Sequence, residues 1–524
     1  RRLADLQRRI LDFTRDSRLD RDIGLPEDET EALIKIDNFL CDLKEAQIRD
    51  GLHIFGRSPQ GDLERDLIVA LARVPRGEGA GENSLIRALA DDLKLGIDPL
   101  TAKLGQTWSG PPIVSPAASA RSVGDVVEQL EAIAADLVEG TMMPEAGWTA
   151  TRAVLDTVET IIRPRLARSG PAEFQALLDG LDGKFITPGP SGAPSRGRLD
   201  VLPTGRNFFS VDNRAVPTPT AWGLGQKSAE SLVLRHLQDH GHHLRSVALS
   251  VWGTANMRTG GDDIAQALAL IGAKPIWDPG SLRVSGYEII PLPKLARPRV
   301  DVTLRISGFF RDAFPAQMAL FDRAIRAIGA LDEPTDDNPI AASMRADALG
   351  LMAAGQSEAE AGLAAGHRIF GSKPGTYGAG LNALIDSGNW STKADLGKQA
   401  LEWGQYAYGA RATGIPERDR FAARLSDIDA VIHNQDNREH DLLDSDNYYQ
   451  FEGGLSAAAE TLTGLKPAAY HNDHSRPERP VIRTLEEEIS NVMRSRVVNP
   501  KWLNGVKRHG YRGAFEIIAT VDFM

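Results

Sequence analysis

The sequence between residues 247 and 306 runs from Val247-Ala-Leu-Ser-Val-Trp252, through Asp262-Asp-Ile-Ala-Gln-Ala-Leu-Ala-Leu-Ile271, to Val300-Asp-Val-Thr-Leu-Arg-Ile306. The first and last segments are short, apolar and β-branched, as buried strands are, whereas the middle one has the spacing of a helix. Further strands are predicted at 274–277 and 287–292. Alternating strands and helices are typical of an open sheet, so we expect an α/β fold.

The rest of the chain is arranged around this sheet. Leu3, Leu6 and Ile10 begin a helical spacing of apolar residues that predicts a helical N-terminal region. The segment Pro188-Gly-Pro-Ser-Gly-Ala-Pro194 has the composition of a linker. The expected regions are a helical domain (1–190), an α/β domain (195–330), a helical segment with a glycine-rich loop (331–395) and a C-terminal α/β region (396–524). The chain ends in an apolar stretch, 519–524, which is typical of the interior of an element. We therefore expect this sequence to be a piece of a longer protein.

Composition excludes several classes of function. The 524 residues include 60 Lys and Arg against 71 Asp and Glu, a net charge of −11, whereas nucleic-acid-binding proteins normally carry a basic excess. Cys41 is the only cysteine, which excludes an intrachain disulfide and cysteine-based metal sites and favours the cytoplasm. No apolar run approaches the roughly 20 residues of a membrane span. We therefore expect no nucleic-acid and no membrane partner.

Two predicted loops are candidates for ligand binding. In open α/β sheets, ligands bind beyond the carboxyl ends of the strands, where the loops at 253–262 and 307–315 are expected. Arginines lie near such strand and loop ends: Arg206, Arg258, Arg305 and Arg311. If they face one crevice, they select an anionic ligand, because the guanidinium group binds carboxylates through two hydrogen bonds. Taken individually, each arginine is interpreted first as a surface or ion-pair residue.

The densest cluster of titratable residues is His433-Asn-Gln-Asp-Asn-Arg-Glu-His-Asp-Leu-Leu-Asp-Ser-Asp446. It contains two histidines and five carboxylates, a combination that suits a divalent cation. If the segment is helical, His440 and Asp444 share one face. The alternative is a solvated acidic turn.

Two further groups of histidines are less specific. The sequence His471-Asn-Asp-His474 either extends the same site or forms an exposed loop. His236, His240, His242 and His243 follow a predicted helix, where the helix dipole favours basic side chains, and are interpreted as structural.

Several motifs resemble the large subunits of aerobic, ATP-dependent cobaltochelatases. They are Leu202-Pro-Thr-Gly-Arg-Asn-Phe208, the segment 299–315, Arg368-Ile-Phe-Gly-Ser-Lys-Pro-Gly375, Asn437-Arg-Glu-His-Asp-Leu-Leu-Asp-Ser-Asp446 and Arg496-Val-Val-Asn-Pro-Lys-Trp502. Magnesium-chelatase large subunits share these motifs in general, but the sequence at 439–446 resembles the cobalt branch of the family more closely. A glutamate-containing motif that the family carries nearer its N-terminus is absent here, so we expect only part of the site.

The resemblance implies insertion of Co²⁺, as substrate metal, into the corrin hydrogenobyrinic acid a,c-diamide during cobalamin biosynthesis. ATP and Mg²⁺ would be bound by two AAA+ type partner subunits, in agreement with the lack of a GxxxxGK[ST] motif. Two alternatives remain open: a magnesium-chelatase subunit acting on protoporphyrin IX, and a non-catalytic tetrapyrrole-binding platform.

The proposed roles follow from the chemistry of metalation, which removes protons from ring nitrogens and needs a weak, exchangeable metal site. Glu439, His440 and Asp441 are the expected catalytic residues. The expected metal ligands are His440, Asp444 and Asp446. The expected substrate-binding residues are Arg206, Arg258, Arg305 and Arg311, which would hold the acidic side chains of the corrin.

Overall fold

The computed structural model describes residues 2–45, 51–77, 79–113, 120–209 and 211–524. The first region is helical, as predicted, and its core is formed by residues such as Leu71, Leu89 and Leu130. Its helices are α1 (Arg2–Asp16), α2 (Leu19–Ile23), α3 (Glu29–Glu45), α4 (Asp62–Arg73), α5 (Leu85–Asp92), α6 (Val123–Glu139), α7 (Thr149–Thr157) and α8 (Arg163–Leu181). The borders of the four expected regions stay predictions.

The helices of the remaining chain surround a sheet. They are α9 (Pro219–His240), α10 (Gly253–Thr259), α11 (Asp262–Ile271), α12 (Leu292–Leu295), α13 (Gly308–Ala313), α14 (Pro315–Gly329), α15 (Pro339–Ala353), α16 (Glu358–Ala365), α17 (Asn382–Asp386), α18 (Lys393–Gly404), α19 (Arg418–Ser426), α20 (Gly454–Thr463), α21 (Leu485–Val492), α22 (Pro500–Lys507) and α23 (Gly510–Phe523). No helix in the described ranges has the length and apolarity needed to cross a membrane.

The strands form one large mixed sheet and two small pairs. They are β1 (Pro188–Pro190), β2 (Asn207–Phe209), β3 (Ser246–Val251), β4 (Ala273–Trp277), β5 (Val284–Ile289), β6 (Asp301–Ile306), β7 (Ile369–Gly371), β8 (Tyr406–Tyr408), β9 (Thr413–Pro416), β10 (Ala430–Gln435), β11 (Ala468–Asp473) and β12 (Val481–Thr484). The large sheet has the order β12-β11-β10-β3-β6-β7-β8-β9. Strands β11, β10, β3, β6 and β7 are parallel, and the outer strands are antiparallel. The predicted α/β fold is confirmed.

Both faces of the sheet are covered, which explains why its central strands are apolar on both sides. On β3, Val247 and Leu249 pack with α9, α11 and α14 in one core cluster. Ala248 points to the opposite face and packs in a second cluster with α18, α19 and α20. From β3 the chain first adds β6 and β7 on one side and later adds β10 and β11 on the other. The sheet therefore has its topological switch point between β3 and β10.

Several local predictions are corrected by the structure. The strands predicted at 274–277 and 287–292 correspond to β4 and β5, but these form a separate antiparallel pair. The predicted loops at 253–262 and 307–315 contain α10 and α13, and Ser307 caps α13 through its side chain. The sequence His471-Asn-Asp-His474 is not an exposed loop, because it forms the buried end of β11 and the residue after it.

Helices α9 and α11 approach each other closely at Gly225. A Cβ atom at this position would lie 2.6 Å from the backbone of Ala265 and Gln266. We expect Gly225→Ala to force the helices apart and to lower the free energy of unfolding by about 1–3 kcal/mol. Urea denaturation measures this change.

Gly223 on the same helix provides the matched control. Nothing lies within 4 Å of the position its Cβ would take. Gly223→Ala should therefore raise the free energy of unfolding by about 0.5–1 kcal/mol, because alanine is the better helix former. Equal destabilisation by the two substitutions would contradict this account of the helix packing.

Candidate functional site

A cleft of about 390 Å³ opens at the carboxyl edge of the sheet, at the switch point between β3 and β10. One wall follows β3 and continues along α10, with Trp252, Thr254 and Arg258. The opposite wall follows β10 and the irregular segment after it. Gly192 and Ala193, from the predicted linker, complete the lining. The cleft lies where open α/β sheets bind ligands.

Aromatic and imidazole rings form the wall beyond β10. The His433 ring lies 4.9 Å from the Tyr448 ring and stacks at 4.7 Å on His471 behind it. His440 Nδ1 lies 2.9 Å from the Tyr448 hydroxyl. Burial, reinforced by the neighbouring His471, lowers the pKa of His433 well below its usual value. His433 is therefore a neutral imidazole at neutral pH.

His471 carries the opposite pKa shift. Its Nδ1 atom lies 3.4 Å from Glu452 Oε2 in the buried layer behind the cleft. Although burial acts to lower the pKa of His471, the Glu452 carboxylate raises it above the usual value. The two stacked histidines thus differ in basicity because only one of them has a carboxylate partner.

Arg258 and Asp436 form a bidentate ion pair in the cleft. Arg258 Nε donates to Asp436 Oδ2 at 2.8 Å and Nη2 donates to Oδ1 at 2.9 Å. Burial acts to raise the pKa of Asp436, but the guanidinium group holds it below its usual value. The pair fixes α10 to the end of β10 and places one cation in the wall.

A buried carboxylate supports the floor of the cleft. Asp263 Oδ2 accepts hydrogen bonds from the backbone N–H of Trp252 at 3.2 Å and from Asn256 Nδ2 at 2.7 Å. Its Oδ1 accepts from Asn434 Nδ2 at 3.0 Å. Burial raises the pKa of Asp263 to about 7, although these hydrogen bonds act to lower it. One side chain on α11 therefore links the ends of β3 and β10.

The family model for CobN/magnesium chelatase matches residues 1–524. The chain belongs to this family. The aerobic cobaltochelatase subunit CobN of Sinorhizobium sp. is 60% identical over 100% of this chain and 43% of its own length. The CobN subunit of Pseudomonas aeruginosa is 56% identical with the same coverage of both chains. The magnesium-chelatase large subunits that match are more distant relatives.

A solved structure shows the same fold. The catalytic subunit of cobaltochelatase from Mycobacterium tuberculosis superposes with a TM-score of 0.87 at 42% sequence identity. The match covers 99% of this chain and 43% of that one. This chain therefore spans less than half the length of these family members.

Two of the three catalytic residues that the sequence predicts line the cleft. Glu439 and His440 face it from the segment after β10. Asp441 is buried instead, and its Oδ1 accepts a hydrogen bond from Arg496 Nη2 at 2.7 Å. The segment 436–446 is irregular rather than helical, so the condition under which His440 and Asp444 would share a helical face is not met.

The predicted metal ligands do not converge. Asp444 accepts a hydrogen bond from the backbone N–H of Asp441, and Asp446 accepts from Asn382 and Gln450. Within the ranges that the structure describes, no three His, Cys, Asp or Glu side chains are placed to hold a metal ion together. It stays a prediction that the metal is bound by His440, Asp444 and Asp446.

The four predicted arginines are dispersed. Only Arg258 lines the cleft. Arg206 lies beside β2 and donates to backbone carbonyls of Asp200 and Leu202. Arg305 is buried over the Phe451 ring, where burial lowers its pKa to about 10. Arg311 pairs with Asp312 and donates to carbonyls of the 373–376 turn. Binding of the substrate by Arg206, Arg305 and Arg311 stays untested, but they do not share the cleft.

Sequence reasoning missed other residues of the cleft. Trp252 and Tyr448 have no predicted role, His433 enters only as a member of the cluster that suits a divalent cation, and the linker around Ala193 is interpreted as a domain boundary. A signal was present for His433, because it follows the apolar run Ala430-Val-Ile432 as the end of a strand would. No local pattern indicated that the linker passes beside the cleft.

We expect Asp263→Asn to change how stability depends on pH. The carboxyl pKa is about 7 in the folded protein against an ordinary 3.8, so its contribution to folding falls as the pH rises from about 4 to about 7. Asparagine does not titrate. The free energy of unfolding of the wild type minus that of the variant should therefore fall by several kcal/mol, on the order of 4, over this window.

Urea denaturation at a series of pH values provides the measurement. Asp182→Asn, at an exposed ion pair with Lys184, is the control and should retain the wild-type pH dependence. A difference between wild type and Asp263→Asn that stays constant from pH 4 to pH 7 would contradict the assignment.

Proposed function

We propose that this chain is the part of an aerobic cobaltochelatase large subunit that holds the tetrapyrrole beside the groups for metal insertion. The complete complex would insert Co²⁺ into hydrogenobyrinic acid a,c-diamide in the cytoplasm, and two AAA+ type subunits would bind Mg²⁺ and hydrolyse ATP. The observation that carries the proposal is the cleft, which combines Glu439, His440 and Arg258 in a chain 60% identical to a CobN subunit over its whole length.

Proton removal is the first chemical task of the cleft. Insertion of a divalent metal displaces the protons of ring N–H groups, and a positioned base accelerates such a transfer by about 10²- to 10⁴-fold. His440, held against Tyr448, and Glu439 are bases at the cleft surface. Asp441 would act indirectly, because its ion pair with Arg496 fixes the segment that carries both residues.

Recognition of the substrate's acidic side chains is assigned to Arg258. Asp436 occupies Nε and Nη2 of this arginine, while Nη1 makes no hydrogen bond to the described residues. A carboxylate of the corrin could bind this remaining donor. Aromatic side chains on both walls, Trp252 and Tyr448, offer apolar surface for the ring. The cleft is small for a whole corrin, so other parts of the full-length subunit would cover the remainder.

Metal delivery requires a site that releases its ion. A closed set of strong ligands would retain Co²⁺, whereas a loose set permits transfer to the ring nitrogens. We assign the first contact with the incoming ion to His440, and we keep Asp444 and Asp446 as candidate carboxylates on the same segment.

We expect His440→Ala and Glu439→Gln, made in the full-length subunit, to lower kcat for Co²⁺ insertion by about 100-fold each. The dissociation constant for the tetrapyrrole should change less than about threefold, because neither residue is proposed to bind the acidic side chains. Absorbance of the metalated corrin, with partner subunits and ATP, measures kcat.

His243→Ala is the matched control, because this histidine is exposed and lies outside the cleft. It should insert Co²⁺ at the wild-type rate. Wild-type kcat in both His440→Ala and Glu439→Gln would overturn the assignment of the bases.

We expect the wild-type subunit to bind hydrogenobyrinic acid a,c-diamide at least about tenfold more tightly than protoporphyrin IX, because the corrin carries more carboxylate side chains around its ring and Arg258 binds carboxylates. Quenching of tryptophan fluorescence measures both affinities. Arg258→Met should reduce this preference. Tighter binding of protoporphyrin IX would favour a magnesium chelatase, and binding without insertion in the complete complex would favour a non-catalytic platform.

A further inference from the structure

Residues 192–198, here called the strap, pass beside the cleft and contact it at several points. Gly192 and Ala193 contribute to the lining. Ser195 Oγ donates a hydrogen bond of 2.6 Å to Glu439 Oε1, although the two residues are 244 positions apart. Arg198 Nη1 donates to the backbone carbonyl of Arg258 at 3.2 Å. The strap therefore touches both walls of the cleft.

The strap is anchored by the two residues that follow Ser195. Arg196 Nη2 forms an ion pair of 3.1 Å with Asp262, and both side chains are almost completely buried. Gly197 has a positive φ of 80°, and a Cβ atom there would lie 2.6 Å from Val74 Cγ2. The two residues that follow Ser195 are thus fixed, Arg196 by Asp262 of α11 and Gly197 by Val74, the residue after α4.

Glu439 has few other restraints. Its side chain is exposed and lies on the irregular segment after β10. Its backbone N–H donates to Asn437 Oδ1 at 3.1 Å, and its carboxylate accepts a hydrogen bond from Ser195 and lies close enough to Arg258 to act to raise the pKa of that guanidinium group. A glutamate on such a segment samples several rotamers unless a partner holds it. Ser195, held by the anchored strap, is that partner.

We propose that Ser195 is a positioning residue that orients the carboxylate of Glu439 for proton removal during metal insertion. This inference rests on the proposed function. The strap supplies the hydrogen bond from a fixed point, so Glu439 presents one oxygen to Ser195 and the other to the cleft. Ser195 contacts Glu439 rather than the reacting atoms, so its effect passes entirely through the carboxylate.

A double-mutant cycle in the full-length subunit tests this inference. With partner subunits and ATP, Ser195→Ala should lower kcat for Co²⁺ insertion about tenfold, with KM for the tetrapyrrole within about twofold of wild type. Ser195→Thr, which retains the hydroxyl, should restore most of the rate. In the Glu439→Gln background, Ser195→Ala should cause no further loss, because both substitutions remove the same function.

Ser191→Ala is the control, since this serine lies just outside the strap. It should match the wild type in kcat, and its Tm should equal that of Ser195→Ala. If Ser195→Ala retains the wild-type kcat while Glu439→Gln lowers it, the inference about Ser195 is overturned and the proposed function is not. Fully multiplicative effects in the double variant would also overturn it. Wild-type kcat in Glu439→Gln would instead remove the role of Glu439 in the proposed function, and the inference with it.

Discussion

The cleft depends on the hydrogen bonds that converge on Asp263. This carboxylate receives donors from the residue after β3, from α10 and from the end of β10. Because β3 and β10 are neighbours whose onward connections run in opposite directions, their carboxyl ends separate and leave a crevice. A buried acceptor for several donors holds the two ends in register, since an unmatched donor in the interior is costly.

The same arrangement explains how distant parts of the chain share one site. Asp262, next to Asp263 at the start of α11, binds Arg196 of the strap. Asp436, just after β10, binds Arg258 of α10. The first pair joins the strap to α11, and the second joins α10 to the residue after β10. The chemistry assigned to Glu439 and His440 therefore depends on a framework of buried ion pairs and amide hydrogen bonds around them.

The sequence predicted the fold class where local patterns are strong. Strands β3 and β6 and helix α11 were recognisable because their apolar residues are continuous or regularly spaced. Strand β11 was missed because it ends in His471, Asn472 and Asp473, which are polar yet buried. Their burial is possible only because partners from other strands satisfy them, such as Asn434 for Asn472. The spacing of residues along the sequence does not predict such partners, because they come from distant parts of the chain.

The same limit applies to the candidate site. Glu439 and His440 were identified because titratable residues are concentrated around them. Arg305 and Arg258 look alike in the sequence, but one is buried over Phe451 and the other lines the cleft. The first residues of the strap, 192–194, belong to the segment interpreted as a linker, because glycine and proline also suit a tight path between packed elements. Which arginine faces the substrate is set by tertiary packing.

The most direct test of this account is a structure of the full-length subunit with hydrogenobyrinic acid a,c-diamide bound. The ring should lie in the cleft between β3 and β10, with a carboxylate of the corrin on Arg258 and the ring nitrogens facing Glu439 and His440. A corrin bound away from this cleft, with Glu439 and His440 remote from its nitrogens, would contradict it.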